Sequence, residues 1–120
     1  MRRTGPTNIV IRKLIRELRK SSRRNRARIW SYIADLLEKP SRSRVIVNVS
    51  KINRFATQGE TVVIPGKVLG AGLIDKPVTV AALSFSAKAL EKIANAGGRV
   101  LFISELVREN PRGKGVKVLM

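Results

Sequence analysis

The sequence predicts a mixed α/β protein with a basic helical N-terminal region. Three observations carry this. Residues 1–44 hold two stretches with apolar residues at helical spacing and fourteen of the 25 lysines and arginines. Val62–Gly98 is the one long stretch that reads as buried core, with only Lys67, Lys76, Lys88 and Lys92 as cations inside it. Within it, the β-branched run Val78–Leu83 is followed directly by a helix start at Ser86. The 120 residues suit one domain, with 1–44 as the basic helical region and 45–120 as an α/β body with a short basic C-terminal segment.

Taken in order, Met1–Pro6 reads as a basic lead, and Thr7 or Asn8 as the cap of a helix running to about Lys20. Ile11, Leu14, Ile15 and Leu18, with Val10 beside them, form its apolar stripe. Ser21–Asn25 is polar and reads as a break. A second helix is expected from about Arg26 to Lys39, with Ile29, Trp30, Ile33, Leu36 and Leu37 facing inward and Pro40 beyond its end. Arg44–Ile52 alternates Val45, Val47 and Val49 against Ile46, Asn48 and Ser50, as a strand does. Thr57–Glu60 reads as a turn. Val62–Ile64 and Lys67–Leu69 are short runs punctuated by Pro65-Gly66.

The best-signalled element starts at Ser86. Its hydroxyl suits an N-cap, Phe85 and Leu90 are spaced as a hydrophobic staple, and Leu90, Ile93 and Ala94 form a short stripe. Gly97 and Gly98 supply its end. Arg99–Ile103 is a further strand, Ser104 the cap of a brief helix with Glu105 in its first turn, and Asn110-Pro111 its stop. Arg112–Gly115 is a basic loop before a last strand, Val116–Leu119.

Charge points to the partner. The chain carries a net charge of +17, and residues 1–44 have only three acids against their fourteen cations. Such an excess repels itself and suits a polyanion, with nucleic acid the first candidate and an anionic membrane surface the second. Lys20–Arg28 runs without an acid, a pattern that binds phosphate.

Other chemistry is excluded or poorly supported. With no cysteine and no histidine there is no disulfide and no zinc site built on these residues. A nucleophile–base pair would need Lys, Ser or a carboxylate, and the eight acids are scattered. Glu17, Asp35, Glu38, Glu91, Glu105 and Glu109 look like salt-bridge partners on helix surfaces. Gly66-Lys67 and Gly70-Ala71-Gly72 lack the spacing of a phosphate loop or dinucleotide fingerprint and read as turns. Aromatic content of 4% is too low for a stacking platform; Trp30 fits the core stripe and Tyr32 falls off it. No run of about 18 apolar residues and no secretory leader is found, so a soluble intracellular protein without cofactor, metal or small-molecule substrate is expected.

Several segments resemble one family. These are Thr7-Asn8 before a Leu/Ile-rich basic helix, Leu37-Glu38-Lys39-Pro40, and Val47–Ile52. The most specific is Val62–Gly70, continued by Val78–Ala82 and Phe85-Ser86, with Glu109-Asn110-Pro111 and Gly113 towards the end. Together they resemble the archaeal and eukaryotic large-subunit ribosomal proteins numbered eighteen, the eighteen-e family, related to the bacterial large-subunit protein numbered fifteen. The resemblance spans residues 4–119; its one departure is Ile9, where the family often has proline. It implies an irregular β-β-α superhelical body and a non-catalytic structural component of the cytoplasmic large ribosomal subunit. It also implies contacts with large-subunit rRNA and with neighbouring ribosomal proteins.

The expected phosphate contacts are Arg2, Arg3, Arg12, Lys13, Arg16, Arg19, Lys20, Arg23, Arg24, Arg26, Arg28, Arg42 and Arg44, followed by Lys51, Arg54, Lys67, Arg112, Lys114 and Lys117. Arginine's planar fork suits phosphate, and residues 1–44 use eleven arginines to three lysines. Competing readings are a DNA-binding architectural protein, an enzyme acting on RNA, and a membrane-surface binder. No helix-turn-helix or minor-groove wedge supports the first of these.

Overall fold

The computed structural model describes residues 9–39 and 45–120. The expected cap at Thr7 or Asn8, the lead Met1–Pro6, Pro40, and Arg2, Arg3, Arg42 and Arg44 lie outside the described residues. The mixed α/β fold is present. Residues 9–39 with 104–114 form one compact unit, and residues 45–103 with 115–120 form another.

The first unit is helical. Helix α1 spans Ile9–Asn25 and buries Leu14, Ile15 and Leu18. Helix α2 spans Arg28–Leu37, packs on α1, and buries Trp30, Ile33, Ala34 and Leu37. The second helix is therefore shorter than the expected 26–39. Ser21–Asn25 is not a break; α1 continues through it. Arginine propagates a helix well, and Arg23 and Arg24 sit in the last turn, where cations suit the negative end of the dipole. Asn25 Nδ2 donates to the Ser21 carbonyl at 3.0 Å and to its Oγ at 3.1 Å.

The turn comes at Arg26, with φ of 52°. The Ala27 amide then bonds the Ser22 carbonyl at 3.0 Å, closing α1 with the six-to-one bond of a Schellman cap. Only Arg26 and Ala27 separate α1 from α2.

The second unit is built on a parallel five-stranded sheet: β1 Val45–Asn48, β2 Thr61–Leu69, β3 Thr79–Phe85, β4 Arg99–Phe102 and β5 Val116–Val118. The order is β1-β2-β3-β4. β5 pairs with Thr61–Val63 of β2, while β1 pairs with Gly66–Leu69. One edge of β2 is thus shared between a strand from each end of the unit.

Two elements differ from the sequence expectation. Pro65-Gly66 does not divide two strands. β2 runs through it with a register shift between Ile64 and Lys67, since a proline without an amide hydrogen is accommodated at a bulge. Gly66 is required because a Cβ there would strike the Val45 carbonyl oxygen of β1. The expected strand over Arg44–Ile52 ends at Asn48, and α3 begins at Val49 and runs to Phe55. Val49, Ile52 and Ala56 make a buried stripe at helical spacing that outweighs the alternation before it.

The expected turn at Thr57–Glu60 is present: the Thr57 amide donates to Glu60 Oε1 at 2.9 Å. That backbone bond, with the nearby Lys117 ammonium, holds the Glu60 carboxyl below the usual carboxylate pKa. β2 and β3 are joined by the loop 70–78, without a helix. α3 side chains and α3's cap residue hold this loop: Asn48 Oδ1 accepts from the Ala71 amide at 3.2 Å, and Asn53 Oδ1 from the Asp75 amide at 3.2 Å.

Helix α4, Ala87–Asn95, follows β3 as expected, and Ser86 Oγ accepts from the Ala89 amide at 3.1 Å. Its buried side is Ala89 and Ile93, one position from the expected stripe; Leu90 and Ala94 are exposed. The small side chain at Ala89 lets the helix lie close to β2: a Cβ on Gly70 would come 2.8 Å from the Ala89 amide nitrogen. Gly97, with φ of 83°, ends the helix, and the Gly98 amide bonds the Ile93 carbonyl at 2.9 Å. α3 and α4 supply Val49, Ile52, Ala89 and Ile93 to a core shared with Val47, Val62, Ile64, Val80 and Ala82 of the sheet. Helix α5, Ile103–Glu109, starts directly after β4, so Ser104 lies within it rather than capping it; Glu105 keeps its place in the first turn.

Candidate nucleic-acid interface

The extended α1 arranges its charge in a way the sequence conceals. At about 100° per residue, Arg12, Lys13, Arg16, Lys20, Arg23 and Arg24 fall within an arc of about 120°. That arc lies opposite the buried stripe Leu14, Ile15 and Leu18. All six are exposed, and the set extends over roughly 18 Å of helix axis. No acid falls within the arc.

The charged residues that flank it are tied down. On one side Arg19 donates to Asp35 at 3.0 Å and Glu38 at 2.8 Å, both on or just after α2. On the other side Glu17 receives Arg108 of α5, with Nε to Oε2 at 2.9 Å. The unit therefore places Glu17 and the ion-paired Arg19 beside the arc, not in it.

This arrangement opposes folding. Arg12–Arg16, Lys13–Arg16, Arg16–Lys20, Lys20–Arg23 and Lys20–Arg24 are like-charge pairs three or four residues apart. Pairs of that kind each cost roughly 0.2–0.5 kcal/mol, or about 1–2.5 kcal/mol together. A solvated face needs no such concentration. A polyanion bound along the arc would turn that cost into a gain.

The remaining nominated cations divide into two groups. Arg26 and Arg28 are exposed at the α1–α2 turn, and Arg112 and Lys114 are exposed after α5. Lys67 is the exposed residue of β2, level with the exposed Ile46 and Ser84 on the neighbouring strands. Arg54 lies over the Phe55 ring, 5.4 Å from its centroid.

By contrast, Lys51 and Lys117 have intramolecular work. Lys51 Nζ donates to the Met120 carbonyl. Lys117 Nζ donates to the Phe55 carbonyl at 2.8 Å and lies 3.9 Å from Glu60. Lys76, not nominated, donates to the carbonyls of Asn53 at 2.7 Å and Ala56 at 3.1 Å, so Lys76 and Lys117 together cover the C-terminal end of α3. Lys92 bonds the Gly72 carbonyl at 2.6 Å. Two exposed lysines outside the nominated set are Lys39 and Lys88; nothing but charge distinguished them in the sequence.

Of the expected salt-bridge acids, Glu17, Asp35 and Glu38 have the arginine partners described. Among the described residues, no group of three or more acids could hold a metal, and no helix is long and apolar enough to cross a membrane.

Comparison with known proteins gives the family. Residues 25–101 match the model of the ribosomal proteins 50S-L15, 50S-L18e and 60S-L27A. A large ribosomal subunit protein eL18 of Pyrobaculum aerophilum is 53% identical over 117 residues, covering 98% of this chain and 96% of the relative. The chain belongs to the L15/L18e/L27A ribosomal protein family. Two further L18e-type relatives align over nearly their full length. The eL18 protein of Archaeoglobus fulgidus is 51% identical over 120 residues, all of both chains. That of Methanospirillum hungatei is 48% identical over 118 residues, 98% of each chain. The matched residues include all of β2, Thr61–Leu69, with its proline bulge.

Proposed function

We propose that this L18e-type chain is a structural constituent of the large ribosomal subunit and binds folded large-subunit rRNA without catalysis. The observation that carries the reading is the acid-free arc of six cations on α1, unfavourable for folding and suited to a run of phosphates. The relatives named as large ribosomal subunit proteins support it over nearly the whole chain.

Structured RNA is met mainly through its shape, its phosphates and its 2′-hydroxyls. A straight helix with one cationic side can follow a backbone without reading bases. In this reading Arg12, Lys13, Arg16, Lys20, Arg23 and Arg24 neutralise phosphates. Arg28, Lys67, Arg112 and Lys114 add contacts, with Arg2, Arg3, Arg42 and Arg44 further candidates. Arg19, Lys51 and Lys117 serve mainly to hold the protein's own structure, and Arg54 spends one face on Phe55. The α/β unit acts as a rigid spacer that neighbouring ribosomal proteins can abut, and the site of action is the cytoplasmic ribosome.

Sedimentation of a tagged copy from cell extract tests this, with and without a high-salt wash. The protein is expected to remain with the large subunit after the wash, held by shape as well as charge. Release into the soluble fraction without ever sedimenting with the subunit would refute the placement. Electrostatic binding alone weakens steeply with salt.

A further inference from the structure

Arg26 is the only residue other than glycine with a positive φ among the described residues. Its φ of 52° puts it in the left-handed region, where the Cβ of an L-residue crowds the following carbonyl. The position is the one after the C-cap of α1. Glycine commonly fills it, and asparagine does so sometimes. The helix meets the other requirements of such a cap, with the Ala27 amide on the Ser22 carbonyl and Ala27 itself buried. Gly97 fills the equivalent place after α4, with φ of 83°. The chain therefore uses glycine at one such corner and arginine at the other.

Folding does not explain the arginine. The negative end of the α1 dipole favours cations, but Arg23 and Arg24 already occupy the last turn. A third cation at the corner adds repulsion and keeps the strain. Arg26 is exposed, and its side chain has no ion-pair or hydrogen-bond partner among the described residues. Backbone strain held without a structural return is a mark of functional positions. The corner is also well defined, because only Arg26 and Ala27 link the two helices. The Cβ direction of Arg26 is thus set by the cap and not by a free loop.

Resting on the RNA reading above, we infer that the α1–α2 corner is a distinct phosphodiester-binding site, in which Arg26 is held in a strained conformation to present its guanidinium to one phosphate group. The ligand is a backbone phosphate of folded RNA. The α1 arc follows a run of phosphates along the helix. Arg26 fixes one further phosphate beyond the helix end and so sets where along the backbone the protein stops.

The test compares Arg26→Gly, Arg26→Ala and Arg26→Lys in the full chain, by thermal unfolding and by binding to purified large-subunit rRNA across a salt series. Glycine relieves the strain and removes the charge. Arg26→Gly is expected to raise Tm by about 3 °C. It is also expected to weaken binding about fivefold near 0.15 M salt and to flatten the log–log salt slope by about one phosphate contact. Arg26→Ala keeps the strain and is expected to leave Tm near that of the native protein, with the same flattened slope. Arg26→Lys is expected to retain the slope.

A Tm that does not rise in Arg26→Gly, or a slope that does not flatten in both uncharged variants, overturns the proposal. A four-site alanine variant at Lys13, Arg16, Lys20 and Arg23, run in the same series, separates failure of the corner site from failure of the RNA reading. If that variant loses binding while Arg26→Gly does not, the corner site alone is wrong. If it also binds as the native protein does, the RNA reading falls with it.

Discussion

Alanine at Lys13, Arg16, Lys20 and Arg23 together is expected to weaken binding to large-subunit rRNA by two to three decades near 0.15 M salt. Each phosphate neutralised contributes about 0.7–0.9 to the log–log salt slope, and so about 0.6–0.7 decade at that concentration. Four contacts give the stated loss, and the slope should fall by about three to four. The fold should be spared. None of the four side chains has a hydrogen bond or ion pair among the described residues, and all four lie opposite the buried stripe. Removing them also removes all five like-charge pairs named above, so unfolding temperature should hold or rise. A salt titration by filter binding, paired with a thermal melt, reads both quantities. A parallel fall in stability and affinity would mean the arc is structural.

The second large effect is on the helical unit itself. Trp30 is fully buried, and its Nε1 donates to the Pro111 carbonyl at 2.6 Å. That bond ties α2 to the segment after α5, 81 residues away in sequence. Trp30→Ala removes the largest buried side chain and its hydrogen bond to the Pro111 carbonyl. A loss of about 3–5 kcal/mol is expected. Against a usual total of roughly 5–15 kcal/mol, that is enough to populate unfolded forms at moderate temperature. Trp30→Phe keeps most of the apolar volume and removes the donor, and should cost about 1–3 kcal/mol. Urea unfolding followed by circular dichroism distinguishes the two. Equal losses would show that the hydrogen bond, not the packing, sets the cost.

What the sequence made legible was local. Ser86 with Gly97 and Gly98 announces both ends of α4, because a hydroxyl cap and a left-handed glycine are chemical signals that need no tertiary context. Val78–Leu83 announces a strand buried on both faces because its β-branched and small residues run without a charge. α3 was hidden because Val45–Ser50 alternates with period two, while the residues that decide the helix, Ile52 and Ala56, lie beyond that alternation. The α4 stripe shifted by one residue because close approach to Gly70 favours Ala89 on the inner side, a condition set by another strand.

The same limit applied to the interface. The excess of cations in residues 1–44 was plain from composition, but its angular grouping was not. Arg23 and Arg24 join the arc only if α1 continues past Lys20, and Ser21–Asn25 looks like a loop as a string of letters. The true stop, Arg26, carries no glycine or proline to mark it. Nor could spacing reveal that Arg19 is occupied by Asp35 and Glu38, or that Lys51 and Lys117 are spent on carbonyls. Those partners lie far along the chain and meet only in the fold.

The most direct test of the α1 face uses the absence of cysteine from this sequence. Lys20→Cys gives a single thiol at the centre of the arc, to which an iron chelate can be tethered for hydroxyl-radical cleavage of rRNA in the assembled large subunit. Glu91→Cys, exposed on α4, serves as the comparison. Strong, localised rRNA cleavage is expected from position 20, above that from position 91. An assembled subunit that contains the Lys20→Cys protein but shows no cleavage from it would contradict the assignment of α1 as the RNA-bound face.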